Sequence, residues 1–186
     1  MAEPVPAEGA LAADAVPGDF AEIVRRHQSM VFSIALHFLA DPPAAEELAQ
    51  DVFMQLHANL SSLKSPEHVI FWLRRVTSHR CIDHLRRSRL PQVSLEDVPE
   101  SGVLEFSPTA PPADPFLARR LRQLVASLPG KARMIVILRY QEDLSTEDIA
   151  EVLEMPAATV KSQLQRALNM LRDKVVRTMG EMRSEK

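Results

Sequence analysis

The sequence predicts an all-α protein of two small helical domains joined by a flexible acidic linker, and three observations carry that prediction. Apolar residues recur at three- and four-residue spacing from Phe20 to about Arg89 and again from Phe116 to Leu171, which is the period of amphipathic helices. Between Pro91 and Pro115 stand six prolines, and the acidic residues there have no Lys or Arg among them, so neither helix nor sheet propagates. An apolar share of 46% with only 5% aromatic residues implies a core of Leu, Val, Ile, Ala and Met. Helix packing suits that set best.

Residues 1–17 are rich in Ala, Pro, Glu and Gly without periodicity, the composition of a disordered tail. The first domain spans 18–90. Its first helix places Phe20, Ile23, Val24, His27, Val31, Ile34, Ala35 and Phe38 on one face and ends near Asp41, Pro42 and Pro43. A second runs from about Ala44 with Leu48, Val52, Leu56 and Leu60 in a stripe, and a third, about Glu67 to Arg89, keeps Ile70, Leu73, Val76 and Leu85 apolar. The linker is 91–115, a length that favours two domains over a single compact one. The second domain, 116–186, opens with a helix from about Phe116 to Ser127 and another from Lys131. Met134 to Leu138 fits a buried strand equally well by period, and its helical neighbours decide for helix.

Charge is distributed unevenly. The net charge of -3 argues against nucleic acid only if it is uniform, yet residues 19–90 and 119–186 each carry more bases than acids. Within 74–89, Arg74, Arg75, Arg80, Arg86, Arg87 and Arg89 face only Asp83, a local anion-binding prospect. The single cysteine, Cys81, excludes an internal disulfide framework and suits a reducing cytoplasm; it reads as a semi-buried helix residue in preference to a redox sensor. No run approaches the roughly 18 apolar residues of a membrane helix, and no signal peptide precedes the first domain. The expected location is cytoplasmic, with no membrane insertion. The six histidines, His27, His37, His57, His68, His79 and His84, lack metal-ligand spacing, and there is no glycine-rich phosphate loop. No metal, no cofactor and no catalytic residue is therefore expected, and the chain is not read as an enzyme.

Ser145-Thr146-Glu147-Asp148 sets a hydroxyl three residues before a carboxylate, the mark of a capped helix start. Ile149, Ala150, Val152 and Leu153 follow, then a break at Glu154-Met155-Pro156, then Val160, Leu164, Ala167, Leu168 and Leu171. Two short helices meeting at a tight corner make a helix-turn-helix, whose second helix enters the major groove. Opposite Val160 and Leu164 lie Thr159, Ser162, Gln165, Arg166 and Asn169, with Lys161 flanking. Gln and Arg suit base edges while Ser and Lys suit the backbone; a merely solvated outer face has the same composition.

Leu128-Pro129, Ile137-Leu138-Arg139-Tyr140, Leu144-Ser145, Glu147 to Leu153 and Thr159-Val160-Lys161-Ser162 resemble region 4 of sigma-70 family RNA polymerase sigma factors, of the short extracytoplasmic-function (ECF, group 4) type with regions 2 and 4. The resemblance implies recognition of the promoter's -35 element through Thr159, Lys161, Ser162, Gln165 and Arg166, and docking on the β flap of core RNA polymerase. Gln163 stands where the family commonly has Arg, and Glu154 where it commonly has Gly. Ala45 to Phe53 resembles the region 2 helix that meets the β′ clamp helices, a role that falls on Glu47, Gln50 and Asp51; an acidic solvated face looks alike on composition.

Phe71-Trp72-Leu73, Asp83 and Leu85-Arg86-Arg87 resemble the promoter-melting segment. The resemblance implies that Arg74, Arg75, His79, Arg80, Arg86 and Arg87 hold the -10 single strand, a task arginines perform by following phosphates. His79 replaces the common Asn. Trp72 reads as core filler ahead of a stacking platform. Ser94 to Asp114 fits the connector that crosses the polymerase cleft, with carboxylates that mimic RNA phosphates or are simply solvated. The resemblance further implies promoter DNA as ligand and an anti-sigma factor as regulator. A helix-turn-helix regulator acting without polymerase is the alternative, but the first domain shows no ligand-binding or phospho-acceptor fold. A protein-binding module without DNA contact fits the arginine cluster less well.

Overall fold

The structure, a computed structural model, describes residues 19–88 and 115–184. Among these, seven α-helices and one 3-10 turn occur and no strand. The expectations for the tail, the linker and Arg89 fall outside the described residues.

Helix α1 (Phe20–Leu39) closes on Ala40 in the left-handed region, whose N–H returns to Leu36 O. Helix α2 (Pro42–Asn59) starts two residues before the expected point, because Pro42 and Pro43 occupy its first turn and do not merely end α1. Proline lacks the N–H that has no acceptor there anyway, and the Asp41 carboxylate accepts from Ala44 N at 3.3 Å. After the 3-10 turn Leu60–Ser62, α3 (Pro66–Ser88) begins where Ser65 Oγ accepts from His68 N at 3.2 Å. These three helices bury Val31, Ile34, Phe38, Val52, Leu56 and Leu73 together. Trp72 is half-buried against that cluster, as expected of core filler. Cys81 is fully buried, deeper than the sequence implied. Burial pushes its thiol well above the usual range, so the reactive thiolate is suppressed.

The second group comprises α4 (Pro115–Ala126), α5 (Gly130–Tyr140), α6 (Thr146–Leu153) and α7 (Ala157–Ser184). Met134 to Leu138 lies inside helix α5 and every residue of it is buried. A continuous apolar run marks burial all round, which a helix sandwiched between neighbours satisfies as well as a strand does. Helix α7 extends to Ser184 and is 28 residues long. The expectation of two short helices therefore holds for α6 alone.

The two groups pack on one another. Helix α5 lies against α1 and α3, and α6 against α3, so Met134, Ile135, Leu138, Ile149 and Val152 join the cluster formed by α1 to α3. Arg133 is buried within this seam. Its guanidinium lies 5.2 Å from the Phe38 ring centroid, and its Nη1 donates to Phe38 O at 2.7 Å while Nη2 donates to Ala126 O and Leu128 O. These carbonyls compensate the desolvation of a buried charge. Gly130 allows a close approach, since a β-carbon there would stand 2.9 Å from Leu85 Cδ2.

Candidate nucleic-acid interfaces

The helix-turn-helix is built locally. Ser145 caps α6: its Oγ accepts from Asp148 N at 3.0 Å, and Asp148 Oδ2 accepts from Ser145 N at 3.1 Å and from Ser145 Oγ at 2.7 Å. Those bonds, the hydroxyl's first, hold the Asp148 carboxyl below the usual aspartate range. At the corner Glu154 adopts φ 52 and ψ 50, and Met155 N donates to Ala150 O at 2.9 Å, the six-to-one bond of a Schellman turn. A left-handed conformation costs a non-glycine residue roughly 1 kcal/mol. Val160 and Ala167 are buried on the inner side of α7, which leaves Lys161, Ser162, Gln165, Arg166 and Asn169 exposed along the other. Thr159 is half-buried at the helix start, where its carbonyl accepts from Ser162 Oγ at 3.0 Å. Gln163 is likewise half-buried.

The arginine face of α3 is arranged differently. Arg74 donates through both Nε and Nη2 to Glu142 Oε2 at 3.1 Å, and the Glu142 side chain is only 9% exposed. Arg75 Nη2 donates to Glu154 Oε1 at 2.6 Å, with His79 Nε2 3.9 Å from the other carboxylate oxygen. Arg80 lies 3.8 Å from Asp51 on α2, and exposed Arg86 pairs with Asp83 at 3.5 Å. Arg87 is exposed. All six residues named from the sequence lie on α3, and carboxylates meet five of them, of which the sequence pointed only to Asp83 beside Arg86. Glu142 gave no signal. Glu154 gave one, a carboxylate at a corner that favours glycine.

On α2, Glu47, Gln50 and Asp51 are all exposed. Beside them an open groove of about 1010 Å³ runs between α1 and α2, with Phe32, Phe53 and Gln50 on its walls and Met54 71% exposed at its rim. An apolar groove flanked by polar residues fits a partner helix. Sequence reasoning found the polar residues and missed the groove, whose walls come from two helices. Among the described residues no cluster of His, Cys, Asp and Glu could hold a metal ion, and no helix is long and apolar enough to cross a membrane.

The sigma-70 region 2 family pattern matches residues 23–90, and the region 4 pattern matches residues 118–171. The RNA polymerase sigma-E factor of Streptomyces coelicolor is 33% identical over 158 residues, covering 85% of this chain and 86% of its own. The chain belongs to the ECF type of the sigma-70 family. The ECF RNA polymerase sigma factor SigW of Bacillus subtilis is 28% identical over 163 residues, with 82% of this chain and 87% of its own covered. The same fold is seen in the sigma factor RpoE from Bartonella quintana, solved with the anti-sigma factor NepR; its TM-score is 0.63 at 21% identity, covering 83% of this chain and 95% of that one. CnrH, solved with the cytosolic domain of CnrY, gives 0.62 at 20% identity, covering 89% and 94%. Helix α6 and the part of α7 up to Leu171 thus lie within the sigma region 4 match, and α2 and α3 within region 2.

Proposed function

We propose that this sigma factor divides promoter recognition between two surfaces. It binds core RNA polymerase and directs promoter-specific initiation. Helix α7 reads the -35 duplex through Lys161, Ser162, Gln165 and Arg166, with Thr159 at its start, while α4 to α7 dock on the β flap. Helix α3 holds the melted -10 strand through Arg74, Arg75, His79, Arg80, Arg86 and Arg87. Glu47, Gln50 and Asp51, beside the apolar groove, meet the β′ clamp helices. The observation that carries this reading is the exposed polar face of α7 above a buried apolar stripe, within a chain that matches both sigma regions.

Affinity arises from joint engagement. Polymerase fixes both surfaces at the separation of the two elements, which converts the second contact into an intramolecular one. Capture of the single strand then favours the open state by mass action. The chain performs no bond chemistry, needs no cofactor, and acts in the cytoplasm under an anti-sigma factor. The groups correspond to domains 18–90 and 116–186, with the acidic 91–115 segment crossing the polymerase cleft and RNA exit path. Run-off transcription of a genomic fragment pool by purified core polymerase, with and without this protein, tests the reading. New starts sharing paired upstream elements are expected. Binding to duplex DNA without new starts would replace it with a helix-turn-helix regulator that acts without polymerase, a reading the family comparisons disfavour.

A further inference from the structure

We propose that Met54 is an oxidation site that controls access to core polymerase: its thioether stands on the polymerase-facing stripe of α2, and conversion to the sulfoxide stops that stripe from docking. This rests on the reading of α2 and its groove as a polymerase surface. Glu47, Gln50, Asp51 and Met54 recur at three- and four-residue spacing, so they share one face of the helix. Met54 is the apolar member of that set, 71% exposed at the rim of the groove beside Gln50 and Phe53. A partner helix laid in the groove would bury it, and a flexible, polarisable thioether suits such a surface.

Burial selects this sulfur. Among the described residues, Cys81 and Met134 are sealed, and burial suppresses the Cys81 thiolate as well. Met30, Met155 and Met170 pack half-buried against the apolar clusters, which leaves Met54 as the exposed sulfur of the described residues. A peroxide supplies one oxygen: an S–O bond forms as the O–O bond breaks, sulfur gives up two electrons, and the rest of the peroxide leaves as water. The product is polar, and docking would have to strip its water in an apolar groove. A thiol-dependent reductase reverses the change, returning the oxygen as water while two thiols become a disulfide. Polymerase covers the sulfur once docked, so it is the free chain that responds.

The test treats the full chain with hydrogen peroxide, locates the sulfoxide by peptide mass spectrometry and measures affinity for core polymerase before and after by fluorescence anisotropy. Sulfoxide is expected at Met54 ahead of Met30, Met134, Met155 and Met170, with affinity falling by about tenfold, part of what burial of a methionine contributes. Methionine sulfoxide reductase with thiol should restore it, and in holoenzyme Met54 should oxidise more slowly than in the free chain. Met54→Leu keeps an apolar side chain without sulfur, so treatment should leave its own affinity unchanged. The proposal is overturned if Met54→Leu loses affinity on treatment as wild type does. Full conversion of Met54 with affinity unchanged overturns it too, and so does a loss of helicity by circular dichroism, which would place the effect in the fold. In each of these cases the polymerase reading of α2 stands if Asp51→Arg weakens core binding. If Gln50→Ala and Asp51→Arg both leave core affinity unchanged, that reading fails, and the proposal fails with it.

Discussion

Helices α3 and α7 both carry the basic residues proposed to meet nucleic acid, yet they stand in opposite electrostatic states. On α7, Lys161, Gln165 and Arg166 project into solvent from a helix whose buried side packs on Leu128, Ala132 and Val136 of its own group. On α3, Arg74, Arg75 and His79 meet carboxylates 68 to 79 residues away. The comparison teaches that a basic cluster in sequence is a capacity and becomes a surface only when the fold leaves it unpaired.

The largest expected effect breaks the comparison by loosening the seam. Phe38→Ala removes a fully buried ring that packs under Arg133 between the two groups, and a loss of about 3–5 kcal/mol in urea unfolding is expected. Next, Arg74 should matter to the fold where Arg75 does not. Arg74→Ala leaves the nearly buried Glu142 carboxylate unpaired, at a cost of about 1–3 kcal/mol. Arg75→Ala severs a pair with a half-exposed partner, and its effect on stability stays below about 1 kcal/mol. Thermal unfolding of the two variants side by side checks the ordering. Arg166→Ala should leave stability unchanged and weaken holoenzyme binding to duplex carrying the -35 element by about 1–3 kcal/mol, read by filter binding at fixed salt.

A smaller effect sharpens the local side. Ser145→Ala removes the α6 cap, for about 1 kcal/mol. Because the folded Asp148 carboxyl titrates below the usual aspartate range, the cap's contribution is fully present above the unfolded value and fades as pH falls through the folded one. The difference between wild type and Ser145→Ala in thermal midpoint should therefore narrow in strong acid. The smallest effect is at the corner: Glu154→Gly relieves the left-handed strain and loses an exposed ion pair, so its unfolding free energy should differ from wild type by less than about 1 kcal/mol.

Much of this is legible in the sequence. The helices from Phe20, Lys131 and Ser145 follow from spacing and capping, which act over three or four residues. The α2 start was misplaced because two prolines read as an ending serve equally as a first turn. The α7 end was misplaced because no glycine or proline stops the helix near Leu171. Arg133 escaped notice because a charge inside an apolar run carries no mark of the three carbonyls that satisfy it.

The sequence by itself determined the helices, the helix-turn-helix corner and the polar residues that share one face of α7, because these depend on periodicity and on chemistry within a turn or two. Tertiary structure alone decided that Glu142 and Glu154 meet Arg74 and Arg75, that Cys81 is sealed, and that a groove opens beside Gln50. Each of these needs side chains from separate helices brought within a few ångströms, and pairings at that range depend on how whole helices pack.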